Sequence, residues 1–282
     1  MAGLGQRRTA VAAAFAPSDP VLLVASEEGR TQLSRAGAGM LTLRGGGTFD
    51  SGRLVGLAHG ATLKVAGVSF VAYPPAITDL HATMERQAQV VEPFDGAVLA
   101  LLCNVGAGSV VLEAGSGSGG LTLTLAHLVG DAGHVHSVDR NERHQPVAER
   151  NVQRAGPTLA QRVTFLQGDL SVDAGRMPGL EQDHAVDAIL LDLPEPWTCL
   201  GAIERLLRPG GFVGCYLPTF NQVEQWTIAA TAGPLTEQRA LEVLSRDLKV
   251  APGATRPSSR MMGHTAFLCT ARRTAATVPS EG

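Results

Sequence analysis

The sequence predicts an α/β protein with a parallel sheet and helices on both faces, preceded by a small antiparallel β domain. From residue 110 onward, short apolar runs alternate with helical segments, which is typical of a parallel sheet. A glycine-dense turn at 115–120 joins the first of these runs to a helix. Before residue 75, short apolar runs alternate with turn residues alone, which indicates antiparallel strands.

The chain is expected to have four parts. Residues 1–19 are predicted to be a flexible N-terminus, in which an arginine pair and alanines are too short and weak a pattern for an export signal. Residues 20–75 form the predicted β domain, which ends at the proline pair 74–75 as a linker. The main domain is predicted over 76–273, and 274–282 is predicted to be a disordered tail.

The elements of the main domain follow from its apolar periodicity. A helix is predicted over 77–85, then an irregular segment, then a helix over 97–104 that Asp95 caps. The predicted parallel strands are 110–114, 134–139, 163–167, 185–193 and 211–217, and the predicted helices lie near 119–129, 142–155, 198–208 and 220–231. Antiparallel edge strands are predicted at 240–244 and 264–271, separated by a mobile loop at 251–262.

Composition excludes some classes of protein. The chain has 282 residues, 44% of them hydrophobic and 17% charged, so it can bury a core. Its net charge of −3 argues against attraction of nucleic acid to the whole surface, although a local basic patch is compatible with it. No run approaches the roughly 18 apolar residues of a membrane span, so no membrane association is expected.

The cysteines are widely spaced. They are Cys103, Cys199, Cys215 and Cys269. They form no CxxC pair and have no ligand spacing, so we expect no metal site and buried free thiols in a reducing compartment.

The turn after the first strand is the candidate ligand site. Its glycines are Gly115, Gly117, Gly119 and Gly120. They allow positive φ and let a ligand lie against bare backbone. Glu113 stands before the first glycine, where dinucleotide-binding folds usually have an apolar residue. A carboxylate there suits a cationic group such as the ammonium of S-adenosylmethionine, and a purely structural turn is the alternative interpretation.

Acidic residues end the central strands. They are Glu113, Asp139, Asp169 and Asp192. Ligands of open α/β sheets bind beyond the carboxyl ends of the strands, so Asp139 suits a ribose and Asp169 an adenine amino group. Either could instead be a turn or N-cap residue. Such acids at one sheet edge would repel one another without hydrogen-bond donors or a cationic ligand.

A second distinctive stretch is the DLPEPW segment at 192–197. Asp192 ends an apolar strand, two prolines fix an extended turn, and Trp197 offers an aromatic face. A carboxylate beside a stacking ring would suit a planar base with an exocyclic amine. The alternative interpretation is a rigid turn with a buried tryptophan.

Together these stretches resemble the tRNA adenine N1-methyltransferases that act on the T-loop adenine at tRNA position 58. The resemblance runs from about residue 20 to 273. It rests on VLEAGSGSGGLTL at 111–123, AERNV at 148–152, DLPEPW at 192–197, YLP at 216–218 and GHTAFL at 263–268. It implies a Rossmann-like S-adenosylmethionine-dependent methyltransferase fold with a small N-terminal β domain, a cytoplasmic RNA-binding enzyme and a homotetramer.

The resemblance also implies roles for particular residues. Asp192 matches the active-site aspartate that touches both cofactor and target base, and Gln89 falls in a segment that approaches the cofactor. With Glu113 and Gly115 from the turn, the predicted S-adenosyl-L-methionine site is Gln89, Glu113, Gly115, Ser118, Gly119, Gly120, Leu121, Asp139, His144, Asp169 and Asp192.

The chain departs from the family pattern at two places. Glu92 and Phe94 replace a tyrosine and a lysine of the family segment, and the stretch at 44–50 lacks the family's histidines. Both departures concern the RNA substrate and leave the cofactor site unchanged.

The resemblance implies direct methyl transfer to adenine N1, whose free lone pair needs no general base. Asp192 would accept a hydrogen bond from N6 and stabilise the positive charge that develops. The basic residues between 249 and 273 could contact phosphates or form a solvated tail. Two other functions stay open: a methyltransferase for another acceptor, such as a protein carboxylate or a small molecule, and a non-catalytic RNA-binding subunit.

Overall fold

The structure is a computed structural model that describes residues 13–25, 31–43 and 47–275. Most of the stretch predicted as a flexible N-terminus, most of the predicted tail and the glycines at 45–46 lie outside the described residues. The chain divides into two compact units. One contains the described residues up to Met84 with Gln153–Pro157, and the other contains Glu85–Val152 and the described residues from Thr158 on.

The first unit is an antiparallel β structure. Its elements are β1 Pro20–Ala25, β2 Thr31–Arg35, β3 Met40–Leu43, β4 Gly47–Asp50, β5 Thr62–Val65, β6 Val68–Tyr73 and α1 Ile77–Thr83. Among its described residues, a four-stranded sheet has the order β2-β1-β6-β5, and β3 pairs with β4. Phe15 is buried in its core, and its backbone N–H donates to the Leu57 carbonyl. The predicted β character of this region is confirmed.

One apolar run of the first unit does not form a strand. The apolar run at 54–57 begins in the last residue of a 3-10 helix, Ser51–Leu54, and continues as a turn. Asp50 caps this helix, since its side chain accepts from the Gly52 N–H at 2.9 Å. Local capping therefore replaces strand pairing at this place.

The second unit contains most of the remaining elements. The elements after α1 are α2 Pro93–Leu102, β7 Val110–Ala114, α3 Gly120–Val129, β8 His134–Asp139, α4 Gln145–Arg154, α5 Pro157–Ala160, β9 Val163–Gln167, α6 Leu170–Asp173, β10 Val186–Leu191, α7 Leu200–Leu206, β11 Leu207–Leu217, α8 Phe220–Thr231, β12 Leu235–Glu242, β13 Leu248–Lys249, β14 Arg256–Pro257 and β15 Phe267–Arg273. Among the described residues, its main sheet has seven strands in the order β12-β15-β11-β10-β7-β8-β9. The five strands from β11 to β9 are parallel, and β15 pairs antiparallel with both β11 and β12. The predicted α/β class is confirmed.

The central strands β7 and β10 are buried on both faces. Leu112 and Ile189 pack into the core on one face of the sheet, while Val111 and Leu190 pack into the core on the other. Strands covered on both faces read as continuous apolar runs, which is why the sequence pattern located them well. No helix within the described ranges has both the length and the apolar character needed to cross a bilayer.

Predicted details of this unit are wrong at α2, at β12 and at β15, which begins at Phe267 and not at residue 264. Helix α2 begins at Pro93, because proline has no N–H to leave unpaired and its φ suits the first helical position. Asp95 therefore lies inside the first turn and caps nothing, and it is buried with the Tyr216 hydroxyl donating to it at 3.4 Å. The edge strand predicted at 240–244 is β12, Leu235–Glu242, most of whose residues are exposed, so it lacks an apolar alternation.

Candidate functional site

A cleft of about 510 Å³ opens beyond the carboxyl ends of β7, β8, β9 and β10. This edge is where ligands bind in open α/β sheets, and the volume is typical of a small-molecule site. Predicted site residues that line the cleft are Gln89, Gly115, Asp139, His144, Asp169 and Asp192. The structure thus brings residues from five separate segments to one place.

The glycine-rich turn packs tightly against the end of β10. Gly115 has φ +96°, and a Cβ there would lie 2.2 Å from the Asp192 carbonyl oxygen. The Asp192 N–H donates to the Ala114 carbonyl at 2.9 Å, and the Gly115 N–H donates to the Val138 carbonyl at 2.8 Å. Only a residue without a side chain allows these three strand ends to approach so closely.

Asp139 fixes the same turn from the end of β8. It is buried, and its Oδ2 accepts from the Gly117 N–H at 2.9 Å. His144 Nδ1 lies 3.1 Å from this oxygen, while the Asn141 N–H donates to Oδ1 at 2.8 Å. Asn141 Nδ2 is 2.9 Å from His144 Nε2, so the network assigns the proton of a neutral His144 to Nδ1. Asp139 and His144 therefore form one hydrogen-bonded wall of the cleft.

Asp169 has the capping role that sequence analysis left open, and it also lines the cleft. Its side chain accepts from the Ser171 N–H at 2.9 Å and from the Ser171 hydroxyl at 2.6 Å. Arg140 lies 3.7 Å away. The Ser171 bonds and Arg140 lower the pKa of Asp169, so this carboxylate stays ionised at neutral pH.

Asp192 lies partly buried in the cleft, one residue past the end of β10. Removal from water and, to a smaller extent, the negative charge of Asp139 raise the pKa of its carboxyl to about 7. The predicted crowding of acids is therefore real. Near neutral pH, Asp192 can exchange a proton or respond to a cation placed beside it.

Glu113 lies fully buried and is absent from the lining of the cleft. Its Oε2 accepts from the Thr122 hydroxyl at 2.6 Å and from the Ser137 hydroxyl at 2.7 Å. Oε1 has no hydrogen-bond partner among the described residues. Burial raises the pKa of Glu113 to about 8, and the nearby carboxylates of Asp192 and Asp139 act in the same direction.

Replacing Glu113 with glutamine is expected to flatten the pH dependence of folding stability. The folded-state pKa of about 8 lies above the ordinary value of 4.5, so the folded protein binds more protons than the unfolded protein between these values. The stability from this group is fully present below about pH 4.5 and is lost as the pH rises through about 8, at up to about 1.4 kcal/mol per pH unit. Urea titrations across this range should show a shallower decline for E113Q than for the wild type.

The exposed Glu204 on α7 provides the control for this experiment. Its carboxylate is in water in both states, so E204Q should keep the wild-type slope. Equal slopes for E113Q and the wild type would contradict the buried, proton-binding role of Glu113.

The other predicted site residues lie outside the cleft lining. The Ser118 hydroxyl accepts from the Gln87 and Ala88 N–H groups at 2.9 and 3.0 Å, so it holds the segment that carries Gln89. Gly119 and Gly120 begin α3, and a Cβ on Gly119 would come within 3.0 Å of the α4 backbone. Leu121 is buried in the apolar core. Direct contacts of these residues with a cofactor stay a prediction.

Trp197 does not form the predicted aromatic floor. It belongs to a 3-10 helix, Pro196–Cys199, and packs partly buried against the core, which is the rigid-turn alternative. Leu193, Pro194 and Glu195 line the cleft in its place. A tryptophan next to two prolines gives no sign in the sequence of the direction in which its ring points.

Sequence analysis also missed Arg140 and Asn141, which line the cleft directly after Asp139. Their position just past a strand end was the available signal, since that is where ligand-contacting residues of parallel sheets lie. All four cysteines are buried and free, as predicted, and Cys199 lies at the cleft wall.

Comparison with known proteins connects this geometry to a family. The family model described as tRNA methyltransferase complex GCD14 subunit matches residues 74–253. The tRNA (adenine(58)-N(1))-methyltransferase TrmI of Thermus thermophilus is 35% identical over 208 residues, which are 73% of this chain and 78% of that protein. These matches include the glycine-rich turn and the strand that ends in Asp192.

Two solved structures share the fold over nearly the whole chain. A SAM-dependent O-methyltransferase from Thermotoga maritima superposes with a TM-score of 0.79 at 28% identity, covering 96% of this chain and 99% of that one. The tRNA (m1A58) methyltransferase TrmI from Aquifex aeolicus superposes with a TM-score of 0.72 at 26% identity, covering 93% of this chain and 100% of that one. By the extent of the family match and of these similarities, the chain belongs to the GCD14 family of tRNA methyltransferase complex subunits.

Proposed function

We propose that this protein transfers a methyl group from S-adenosyl-L-methionine to N1 of adenine 58 in tRNA. The family and the named activities of the relatives support this reaction. The main structural support for this reaction is the position of Asp192. Its carboxylate lies partly buried in the cleft, and its backbone is hydrogen-bonded beside the glycine-rich turn.

The residues of the cleft fit the methyl donor. When bound, S-adenosyl-L-methionine supplies an electrophilic methyl group on a positively charged sulfur. Asp139 and Asn141 would hold the ribose of the donor. The Asp139 carboxylate has about four lone-pair positions, and three of them already accept hydrogen bonds within the protein.

Asp192 would act on the acceptor base. Its carboxylate can accept from N6 of adenine, which places N1 with its free lone pair toward the donor side of the cleft. Such alignment contributes up to roughly 7–11 kcal/mol in favourable cases. Methylation leaves a positive charge on the adenine, and a preorganised, partly buried carboxylate stabilises that charge as it develops.

The rate constant kcat/KM for tRNA is expected to rise with pH through about 7. The pKa of Asp192 is about 7, so a proton neutralises the carboxylate below this pH and the ionised form dominates above it. Initial rates with labelled donor across the neutral range would measure this rise of kcat/KM with pH, and the E195Q variant should show the same rise. The residual activity of D192N should not rise with pH in this range. A rise that survives in D192N would assign the titration to another group.

Several further features belong to this proposal. Exposed cations at Arg246, Lys249, Arg256 and Arg260 support RNA binding by the second unit. The resemblance supports a cytoplasmic homotetramer. The proline pair supports a domain boundary at 74–75, and the Pro/Ser/Arg-rich composition supports a mobile segment at 251–262.

The decisive experiment incubates the protein with labelled S-adenosylmethionine and unmodified tRNA and then analyses the nucleosides. Label in 1-methyladenosine at position 58 supports the proposal. Label in another nucleoside, a protein carboxylate or a small molecule would replace it with the alternative methyltransferase function. Binding of tRNA without donor binding in calorimetry would indicate a non-catalytic RNA-binding subunit.

A further inference from the structure

We propose that Phe220, Phe267 and His264 form a stacking platform for an unpaired nucleobase of the substrate RNA, beside the base that is methylated. We call these three residues the aromatic platform. This inference rests on the proposed function, because it concerns how the same RNA is held.

The three rings form one continuous surface. The Phe220 and Phe267 ring centroids are 4.5 Å apart, and the His264 and Phe267 centroids are 4.9 Å apart. Phe220 is 75% exposed, and Phe267 is partly buried against the core beneath it. The Phe220 ring is solvent-exposed and packs against the Phe267 ring, so it offers a face on which any base can stack.

The aromatic platform adjoins the mouth of the cleft. Phe220 begins α8 and Phe267 begins β15, where it pairs with Leu217 at the end of β11. Strand β11 lies next to β10, whose end carries Asp192. Two residues after Phe220, the side chain of Gln222 donates from Nε2 to the carbonyl of Pro194, a cleft-lining residue, at 2.9 Å. A base stacked on Phe220 would therefore be a close neighbour of a base that enters the cleft.

Hydrogen bonds hold the His264 ring in place. Its Nδ1 is 2.6 Å from Glu242 Oε1, and its Nε2 is 2.7 Å from the Pro218 carbonyl oxygen. Two acceptors on the two ring nitrogens suit the protonated imidazole, and they raise the pKa of His264. The two bonds therefore hold the His264 ring in a fixed orientation at the edge of the platform.

The surrounding charge favours RNA as the occupant. The segment from Leu248 to Phe267 leads into the platform and carries Lys249, Arg256 and Arg260 but no acidic residue. These cations are exposed. Phosphates flank every stacked base, so exposed aromatic rings that follow a cationic chain segment match a single-stranded nucleic acid.

The test compares Phe220→Leu with Phe220→Trp. Leucine keeps an apolar side chain and removes the π-face, so F220L should weaken tRNA binding by about 5- to 150-fold, the range expected for one stacked base. F220W should retain wild-type affinity, and calorimetry should show unchanged donor binding for both variants. Ile228→Ala is the matched control, since Ile228 is 66% exposed on the same helix and lies outside the platform.

Each outcome decides the proposal. If F220L methylates tRNA with wild-type affinity, the platform is wrong and the proposed function stands. If F220L instead changes the mass of the assembly and leaves tRNA affinity unchanged, the patch is a contact between copies of the chain, which also overturns the platform. A wild-type protein that neither binds nor methylates tRNA overturns the proposed function, and the platform with it.

Discussion

Asp192→Asn is expected to lower kcat for tRNA methylation by about 10²- to 10³-fold, the usual loss when one preorganised electrostatic contact is removed. Asparagine has nearly the same shape, so the backbone bond from Asp192 to Ala114 and the fold should be retained. What is lost is the negative charge that balances the developing charge on adenine. Single-turnover transfer from labelled donor, with tRNA in excess, would measure this effect on the chemical step.

The control for D192N is Glu195→Gln, which removes a carboxylate from the same cleft three residues further along the chain. Glu195 is exposed and solvated, so its charge is screened and its loss should change kcat little. Circular dichroism and a urea titration would verify that D192N is folded. Wild-type turnover in a folded D192N would exclude Asp192 from the reaction, and an equal loss in E195Q would indicate a general effect of charge in the cleft.

The predictability of the fold depended on burial. Strands β7, β8 and β9 have the predicted bounds because apolar runs of fixed length end at glycine or acidic residues. Strand β12 was misplaced because it is an edge strand exposed on both faces, and its pairing with β15 is a non-local property. The start of β15 was misplaced because the His264 side chain bonds to Glu242 of β12 and to the Pro218 carbonyl just past β11, instead of extending the ladder.

The candidate site was predictable to the extent that topology determines it. Parallel strands place their carboxyl ends together, so Asp139, Asp169 and Asp192 were expected at one edge and line one cleft. The sequence could not show that the Glu113 side chain points into the core, or that the Trp197 ring packs inward. Those directions depend on side-chain packing between elements far apart in the chain. The aromatic platform was equally hidden, because Phe220 and Phe267 are 47 positions apart in the sequence and meet only through β11 and β15.

Gly115→Ala is expected to destabilise the protein by roughly 2–5 kcal/mol and to disrupt the cleft. An alanine at φ +96° carries a backbone cost of about 1–2 kcal/mol. Its Cβ would also lie 2.2 Å from the Asp192 carbonyl oxygen, and relieving such overpacking typically costs about 1–3 kcal/mol more. Because the obstructing atom is backbone, the end of β10 must move, and the Asp192 side chain moves with it. Urea unfolding would measure the stability, and methyl transfer by the folded fraction would measure the displacement.

Gly108→Ala separates the two contributions. Gly108 has φ +87°, close to that of Gly115, but a Cβ there would meet no atom within 4 Å. G108A should therefore show only the backbone cost, with activity per folded molecule unchanged. If G115A and G108A were equally destabilised and equally active, the close approach between the turn and β10 would not matter. The functional requirement for glycine at 115 would then be conformational alone.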